Sequence, residues 1–309
     1  MKKPVVMDCD PGHDDAIALL MALASDKLDV KAVTTVGGNQ TSAKTLQNAL
    51  KILSFAGITH VPVAAGASRP LVRELEIAPE VHGESGLDGP ELPEPTFPPS
   101  PLSALALMEK VISESPVPVT LVPTGPLTNI AQLLIASPHL KSNIERISLM
   151  GGSAVGGNWT PAAEFNIMVD PEAADIVFHS GIPITMCGLD VTHKALIFDE
   201  EIEQIRTQGG KVSVMVAELL DFFAKFHSEM GFEGSPLHDP CAVAWLIDHD
   251  LFTSQLLHVD IETDSEFCDG ATVVDIRGTT GKKENVDVVF DVDRSGFIKL
   301  LSDSLRSYQ

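Results

Sequence analysis

Cysteine, aromatic side chains and positive charge are all scarce in this chain. Aromatic residues make up 5% of it, and its single tyrosine, Tyr308, stands at the far end. Four cysteines are scattered over 309 residues without the spacing of a metal site: Cys9, Cys187, Cys241 and Cys268. A chain of this length does not need a disulfide framework, so we expect reduced, buried thiols in a cytoplasmic protein.

The charge balance is strongly acidic, with 43 acidic against 21 basic residues and a formal net charge of -22. Nucleic acids and anionic membranes bind basic patches, so this balance argues against both as partners. Long apolar runs are missing too, because Asp8 interrupts the first one and none approaches the roughly 20 residues of a membrane helix. Without repeats, low-complexity tracts or a visible boundary, we expect one domain over residues 1–309.

Short apolar runs alternate with longer segments of helical spacing. The strand candidates cover residues 4–7, 30–36, 61–64, 118–122, 146–150 and 184–187. The helix candidates cover residues 15–25, 42–56, 102–114, 126–136 and 171–179. This alternation predicts βαβ units, and hence an α/β fold with an open, mainly parallel, Rossmann-like sheet flanked by helices. In such sheets ligands bind at the carboxyl ends of the strands.

Four other segments complete the predicted organisation. Residues 79–101 are rich in proline and glycine and predict a long loop, and long loops in compact domains are often functional. Residues 212–228 form a strongly apolar helix candidate, and strands are predicted over 272–276 and 286–292.

Four carboxylates crowd the end of the first predicted strand, in the run Asp8-Cys9-Asp10-Pro11-Gly12-His13-Asp14-Asp15. Like charges this close repel each other, so the run predicts a hard cation at the edge of the sheet. Helix capping by Asp14 or Asp15 is a structural alternative, but it leaves Asp8 and Asp10 unexplained. A phosphotransferase of the haloacid dehalogenase type also has an Asp-x-Asp pair, although the residues after Asp10 depart from its pattern. The spacing does not match an EF-hand loop.

The same run, continued to Ala16, matches the N-terminal signature of the nucleoside hydrolase family position by position. Further motifs of that family follow in its order: Gly38-Asn39, Pro123–Asn129, Met150-Gly151-Gly152, Asn158, Glu164-Phe165-Asn166, Asp170–Ala173 and His238-Asp239-Pro240. The chain therefore resembles a nucleoside hydrolase over nearly its whole length. Segments 81–89 and 189–194 make it most similar to the bacterial pyrimidine-specific ribonucleoside hydrolases.

The resemblance implies a calcium-dependent enzyme that hydrolyses the N-glycosidic bond of ribonucleosides, preferably cytidine and uridine, to ribose and free base. Asp10, Asp15, Asp239 and the backbone carbonyl of Thr124 would hold one Ca²⁺ ion, and oxygen donors suit that hard cation. Asp10 would also accept the proton of the attacking water. Taken alone, Asp239 has a structural alternative as a helix N-cap before Pro240.

The resemblance also implies which residues bind the sugar: Asp14, Asn39, Asn158, Glu164 and Asn166. Met150 and His227 complete the substrate-binding set.

Two histidines are candidates for helping the base to leave. His238, beside the metal ligand Asp239, is the first candidate, and the resemblance also implies that it is the active-site histidine. His82 is the second candidate and could instead orient the base. His13 is expected to shape the turn in the signature rather than touch the substrate.

The helix over 212–228 is expected to contribute its C-terminal part to the base pocket. Pyrimidine-specific relatives place polar and aromatic groups there, often a tyrosine, whereas this chain has Phe223, Phe226 and His227. This departure keeps a purine-preferring or non-specific ribonucleoside hydrolase as the alternative.

Two rivals of other classes remain at the sequence level. A magnesium-dependent phosphatase would release phosphate and need Asp8. A nucleoside-binding protein would keep the cation but release no sugar. The resemblance favours neither, and it implies a homotetramer acting on a small ribonucleoside in nucleoside salvage.

Overall fold

A computed structural model describes residues 2–309 and contains one large sheet. Its strands, together with those of two small ribbons, are β1 (Lys3–Cys9), β2 (Leu28–Thr35), β3 (Val63–Ala65), β4 (Val119–Pro123), β5 (Ile144–Met150), β6 (Ile184–Cys187), β7 (Leu196–Ile197), β8 (Ser235–Pro236), β9 (Phe252–Leu257), β10 (Val259–Ile261), β11 (Thr272–Val274) and β12 (Val286–Val292). The large sheet has eight strands in the order β3-β2-β1-β4-β5-β6-β12-β9. Its strand pairs are parallel except for β12 with β9.

Helices connect the strands and cover the sheet. They are α1 (His13–Ala24), α2 (Ser42–Phe55), α3 (Pro79–His82), α4 (Ala104–Glu114), α5 (Thr128–Ala136), α6 (Phe165–Val169), α7 (Pro171–Phe178), α8 (Leu189–Thr192), α9 (Asp199–Thr207), α10 (Lys211–Glu229), α11 (His238–Ile247) and α12 (Arg294–Arg306). Two 3₁₀ turns cover Pro138–Asn143 and His249–Leu251. None of the helices among residues 2–309 is both long enough and apolar enough to cross a membrane.

Strand β1 is buried on both faces of the sheet. Val5, Met7 and Cys9 pack into one apolar core, whereas Val6 packs into the other, and all four are fully buried. A strand buried on both faces is typical of parallel sheets between helix layers. The predicted α/β class is therefore confirmed.

The strand order places a switch point between β1 and β4. From β1 the chain builds outward through β2 to β3, and from β4 it builds the other way through β5 to β6. Loops leave the sheet in opposite directions at such a point and open a crevice at the carboxyl ends of the strands. Asp10 and Thr124 immediately follow these two strands.

The structure departs from the sequence prediction in several segments, and helices α9 and α12 lie in parts of the chain for which no helix was predicted. The loop predicted over 79–101 begins with helix α3, which starts at Pro79 and ends at His82. Gly83, which follows it, has a φ of +77°. Strand β9 was not predicted because it is an edge strand whose central residues are exposed, so it lacks apolar alternation. The prediction over 272–276 is too long, since β11 ends at Val274.

Candidate active site

Four buried aspartates converge below the switch point. Asp10 follows β1, Asp14 and Asp15 lie in the first turn of α1, and Asp239 lies in the first turn of α11. Asp14, Asp15 and Asp239 each offer one carboxylate oxygen, and these oxygens lie within 4.8 Å of one another. This cluster can hold a metal ion, because carboxylate oxygens are the usual ligands of hard divalent cations.

Asp10 lies beside this trio and is held from two sides. Its Oδ2 accepts a hydrogen bond from the backbone N–H of Asn39 at 2.7 Å, whereas its Oδ1 is buried without a hydrogen-bond partner among the described residues. A Cβ at Gly38 would lie 2.1 Å from Oδ2, and a Cβ at Gly125 would lie 2.4 Å from Oδ1. The two glycines therefore leave the space that the Asp10 carboxylate occupies.

Asp15 has both a structural role and a place in the cluster. Its carboxylate accepts hydrogen bonds from the N–H of Gly12 at 2.9 Å and from the Thr124 hydroxyl at 2.8 Å. The first bond closes the start of α1, so the helix-capping alternative describes part of what Asp15 does. Asp239 is not an N-cap, because α11 begins one residue earlier, at His238.

Burial perturbs every carboxylate of the cluster. Desolvation raises the pKa of Asp10, Asp15 and Asp239, and neighbouring carboxylates raise the pKa of Asp10 and Asp239 further. The same causes raise the pKa of Asp14 to about 7. Such a group of acids cannot all ionise at neutral pH unless a positive charge joins them. None of the described residues lining the cavity above them is Lys or Arg.

Asp8 lies in β1 and is not among the residues that line the cavity described below. Its Oδ1 accepts hydrogen bonds from the Thr34 hydroxyl at 2.6 Å and from Nδ2 of Asn129 at 2.8 Å. Burial raises the pKa of Asp8 to about 7. Its side chain is a structural link between β1, β2 and α5.

Above the cluster lies a cavity of about 510 Å³. Of the predicted site residues, all but Asp10 and Asp15 line it; those two are fully buried. The lining residues are Asp14, Asn39, Ala78, Glu80, Val81, His82, Thr124, Met150, Gly157, Asn158, Trp159, Glu164, Phe165, Asn166, His193, Phe223, Phe226, His227, Met230, Phe232, His238 and Asp239.

Glu164 and Asn166 form a polar wall next to the metal cluster. Nδ2 of Asn166 donates to the carbonyl oxygens of Thr124 at 2.9 Å and of Met150 at 3.2 Å. Glu164 caps helix α6 by accepting from the N–H groups of Asn166 and Ile167, and it also accepts from Gly152. Burial nevertheless raises the pKa of Glu164 to about 7. The wall is thus held in place by hydrogen bonds within the protein.

Asn39 and Asn158 stand at different depths of the cavity. Asn39 is buried, and its Nδ2 lies 3.2 Å from both the carbonyl oxygen of Asp10 and Oδ2 of Asp15. Asn158 is exposed at the rim, and its Oδ1 accepts from the N–H of Phe165 at 3.0 Å. Asn158 thus braces its loop, and its amide Nδ2 has no hydrogen-bond partner among residues 2–309.

His82 closes helix α3 and packs against His13. The Nδ1 atoms of the two rings lie 3.1 Å apart, and Nε2 of His13 lies 2.8 Å from the carbonyl oxygen of Asp88. Burial lowers the pKa of His13 to about 4 and the pKa of His82 well below its usual value. His13 lies outside the cavity wall and supports His82, which lines the cavity.

The far end of the cavity is aromatic. Phe223, Phe226 and His227 come from helix α10, as the sequence predicts, and the rings of Phe223 and His227 meet edge to face at 4.4 Å. The His227 ring lies 6.1 Å from the His238 ring. His238 is anchored in turn by Thr192, whose Oγ1 lies 2.8 Å from Nδ1 of His238. A flat ring fits between such walls better than a phosphate does.

Several lining residues were missed at the sequence level. Phe232 and His193 meet edge to face at 5.1 Å, and Trp159 lies edge to face on Phe165 at 4.8 Å. Nε1 of Trp159 also donates to Glu76 at 2.8 Å. One signal was available, because Trp159 is one of only two tryptophans and directly follows Asn158.

Comparison with known proteins identifies the family. The model described as "Inosine-uridine preferring nucleoside hydrolase" matches residues 5–299. The chain belongs to the nucleoside hydrolase family. The resemblance inferred from the motifs is thereby confirmed, and the protein is an enzyme. As a nucleoside hydrolase it is neither a phosphatase nor a binding protein without turnover.

Relatives of this nucleoside hydrolase match it end to end. The pyrimidine-specific ribonucleoside hydrolase RihA of Shewanella woodyi is 59% identical over 310 residues, covering 100% of this chain and 99% of that protein. The protein of the same name from Escherichia coli K12 is 58% identical, with 100% of both chains covered.

Solved structures of the family share the fold. A purine-preferring ribonucleoside hydrolase from Gardnerella vaginalis has a TM-score of 0.93 at 31% identity, covering 99% of each chain. A plant nucleoside hydrolase has a TM-score of 0.92 at 34% identity, again covering 99% of each chain. A purine-preferring enzyme thus shares the fold of this chain.

Proposed function

We propose that this nucleoside hydrolase cleaves pyrimidine ribonucleosides, cytidine and uridine, to ribose and free base with the help of Ca²⁺. The observation that carries the proposal is the buried carboxylate cluster beneath a cavity with a polar wall at one end and aromatic and histidine side chains at the other. A ribonucleoside has the same division, with a polar sugar at one end and a flat base at the other. A purine-preferring or non-specific enzyme is the second candidate, because a purine-preferring hydrolase shares the fold.

The donor set fits a calcium ion. Asp10, Asp15, Asp239 and the carbonyl of Thr124 would hold it, and all of them offer oxygen, the ligand that Ca²⁺ prefers. The buried Oδ1 of Asp10 has no hydrogen-bond donor, and an isolated buried carboxylate oxygen is costly unless a cation or donor joins it. A bound Ca²⁺ supplies Lewis acidity, which eases the deprotonation of water.

Hydrolysis requires a water activated below the sugar ring. The oxygen of this water forms the new bond to C1′ of the ribose, and its proton passes to the Asp10 carboxylate. The C1′–N bond breaks, and its electron pair stays with the base. The transition state resembles an oxocarbenium ion, so nearby carboxylates stabilise it.

The sugar and the base would bind at opposite ends of the cavity. Hydroxyl groups of ribose would bind the polar residues Asp14, Asn39, Asn158, Glu164 and Asn166. The base would lie beyond Met150, between helix α10 and the short helix α3, with His82 and His227 placed to orient it. His238 would donate a hydrogen bond to the departing base, because its Nε2 has no partner among the described residues.

The pyrimidine preference rests on the relatives and not on the fold. The relatives that are 58% and 59% identical are named as pyrimidine-specific. The α10 side chains of this chain include no tyrosine, so His227 takes the place of a polar aromatic group in the base pocket.

The wider setting is also part of the proposal. One sheet built from residues 3 to 292 supports a single domain over residues 1–309. We expect a homotetramer that works in cytoplasmic nucleoside salvage, and sedimentation equilibrium of the purified protein tests the tetramer.

Metal exchange tests the proposed calcium chemistry. The protein is stripped with a chelator, and ribose release from uridine is measured after Ca²⁺, Mg²⁺ or buffer is added back. We expect Ca²⁺ alone to restore full activity, and Asp10→Asn to remain inactive at any Ca²⁺ concentration. Full activity in the continued presence of the chelator would refute the metal requirement, and the same assay with inosine separates the two substrate classes.

A further inference from the structure

The contact between Thr192 and His238 joins two distant parts of the chain. Thr192 ends helix α8 and is fully buried, whereas His238 begins α11 and lines the cavity. Their side chains meet with Oγ1 of Thr192 at 2.8 Å from Nδ1 of His238. Among residues 2–309, this is the only hydrogen-bond partner of the Thr192 hydroxyl.

The direction of this hydrogen bond follows from what each atom needs. If Nδ1 of His238 carried a proton, the hydroxyl would have to accept it, and the hydroxyl's own proton would be buried without an acceptor. An unsatisfied buried donor costs free energy, so this arrangement is disfavoured. If the hydroxyl donates, Nδ1 is the acceptor and the buried hydroxyl proton has its partner. The proton of the neutral imidazole then sits on Nε2.

The backbone around the contact is tied down as well. The N–H of Leu237 donates to the carbonyl of Ala195 at 3.0 Å, and the adjacent ribbon pairs β7 with β8. These contacts tie the segment that follows Thr192 to the segment that precedes His238. The hydroxyl and the ring are therefore already within hydrogen-bond distance in the structure without substrate.

We propose that Thr192 is a positioning residue: its hydroxyl locks His238 in the tautomer that carries the proton on Nε2 and aims that N–H into the cavity. This inference rests on the proposed role of His238 as donor to the departing base. In the step itself the base leaves with the bonding electron pair, and the Nε2–H of His238 stabilises the developing negative charge by a hydrogen bond. No proton leaves the imidazole, and the freed base takes its proton from water.

The locked tautomer matters because the neutral ring has two forms with opposite properties. With the proton on Nδ1, Nε2 would present a lone pair to the electron-rich base and repel it. Substitution of the hydroxyl therefore affects kcat more than KM, since the charge on the base develops only in the transition state.

A matched set of variants tests the inference in the calcium-loaded enzyme with uridine. Thr192→Val keeps the shape and removes the hydroxyl, and we expect kcat to fall about tenfold, the loss of one neutral hydrogen bond, with KM within about twofold of wild type. Thr192→Ser retains the hydroxyl and is expected to restore kcat. Thr120→Val is the control, because Thr120 is an equally buried threonine of β4 that does not line the cavity.

Two further measurements separate positioning from general damage to the fold. In a His238→Ala background, Thr192→Val should lower kcat no further, because the hydroxyl acts through the ring. Nitrogen NMR of the histidine-labelled wild-type enzyme should show His238 with its proton on Nε2 alone.

Three results would overturn the inference. A proton on Nδ1 of His238 in the wild-type enzyme would mean that the ring donates to the Thr192 hydroxyl, the opposite of the inferred direction. A Thr192→Val enzyme with wild-type kcat, beside a crippled His238→Ala enzyme, would leave the role of His238 intact and remove that of Thr192. A His238→Ala enzyme with wild-type kcat would instead refute the donor role within the proposed function, and with it any catalytic effect of Thr192.

Discussion

Gly125→Ala is a sharp test of where Asp10 must stand. A Cβ at this position would lie 2.4 Å from Oδ1 of Asp10 and 2.7 Å from its Cγ. The φ of Gly125 is not in the left-handed region, so alanine brings no backbone strain of its own. The collision is with the Asp10 carboxylate, which is confined on its other side by Gly38.

The magnitude follows from this distance. To move from 2.4 Å to an ordinary contact of 3.4 Å, the carboxylate has to shift by about 1 Å. A misplacement of about 1 Å in a catalytic site costs on the order of 100-fold in rate. Overpacking a buried site lowers the free energy of unfolding by about 1–3 kcal/mol, which leaves a folded protein to measure. We therefore expect kcat for uridine to fall about 100-fold.

The assay is release of reducing sugar from uridine at saturating Ca²⁺, with circular dichroism as a check of folding. The control is Gly281→Ala: its φ is +66° and a Cβ there would meet nothing within 4 Å. That variant carries backbone strain of about 1–2 kcal/mol without a collision, and its kcat should stay within about twofold of wild type. A folded Gly125→Ala enzyme with near-wild-type kcat would refute the placement of Asp10 as metal ligand and base.

Three further predictions concern charge, base recognition and stability. Burial raises the pKa of Asp14 and Glu164 to about 7. Between about pH 5 and 8, the folded protein without metal therefore holds protons that the unfolded chain has released. Its melting temperature in the presence of a chelator should fall as the pH rises through this range. Added Ca²⁺ should flatten that slope, and a melting temperature that rises with pH in chelator would contradict it. His227→Ala should lower kcat/KM for uridine about tenfold and leave the affinity for Ca²⁺ unchanged. If the variant lost kcat/KM and Ca²⁺ affinity to the same extent, His227 would belong to the metal site. Asn129→Ala removes the hydrogen bonds that Asn129 donates to Asp8 and Thr35 and the one that it accepts from Ala67. It should lower the free energy of unfolding by about 1–3 kcal/mol in urea titrations, whereas a cost near zero would mean that these bonds add nothing.

Most of the fold could be predicted from the sequence because the patterns that indicate strands and helices are local. Each parallel strand is a short apolar run closed by a polar or glycine residue, and these patterns do not depend on the rest of the chain. The main strands and helices predicted through residue 187 are present in the structure, with bounds shifted by a few residues. Strand β9 escaped prediction because an exposed edge strand is set by its partner β12 and not by its own apolar pattern.

The candidate site was readable for a different reason. Asp10, Asp14 and Asp15 lie in one run, and their crowding is visible without a structure. Their completion by Asp239 came only from the family motifs, since no local rule joins α1 to α11.

The aromatic end of the cavity could not be predicted in the same way. Trp159, His193 and Phe232 come from three separate loops and short elements, and each resembles an ordinary loop residue until the chain is folded. The Thr192 hydroxyl gave no signal either, because its importance lies in one contact across 46 positions of the sequence.

The most direct test of the account is a competition between nucleosides. The calcium-loaded enzyme is given equal concentrations of uridine and inosine in one tube, and the released bases are separated by chromatography. The ratio of initial rates equals the ratio of the two kcat/KM values. We predict that uracil appears well ahead of hypoxanthine and that Asp10→Asn releases neither. Faster release of hypoxanthine would contradict the pyrimidine preference, and release of neither base by the wild-type enzyme would contradict the proposed reaction on these ribonucleosides.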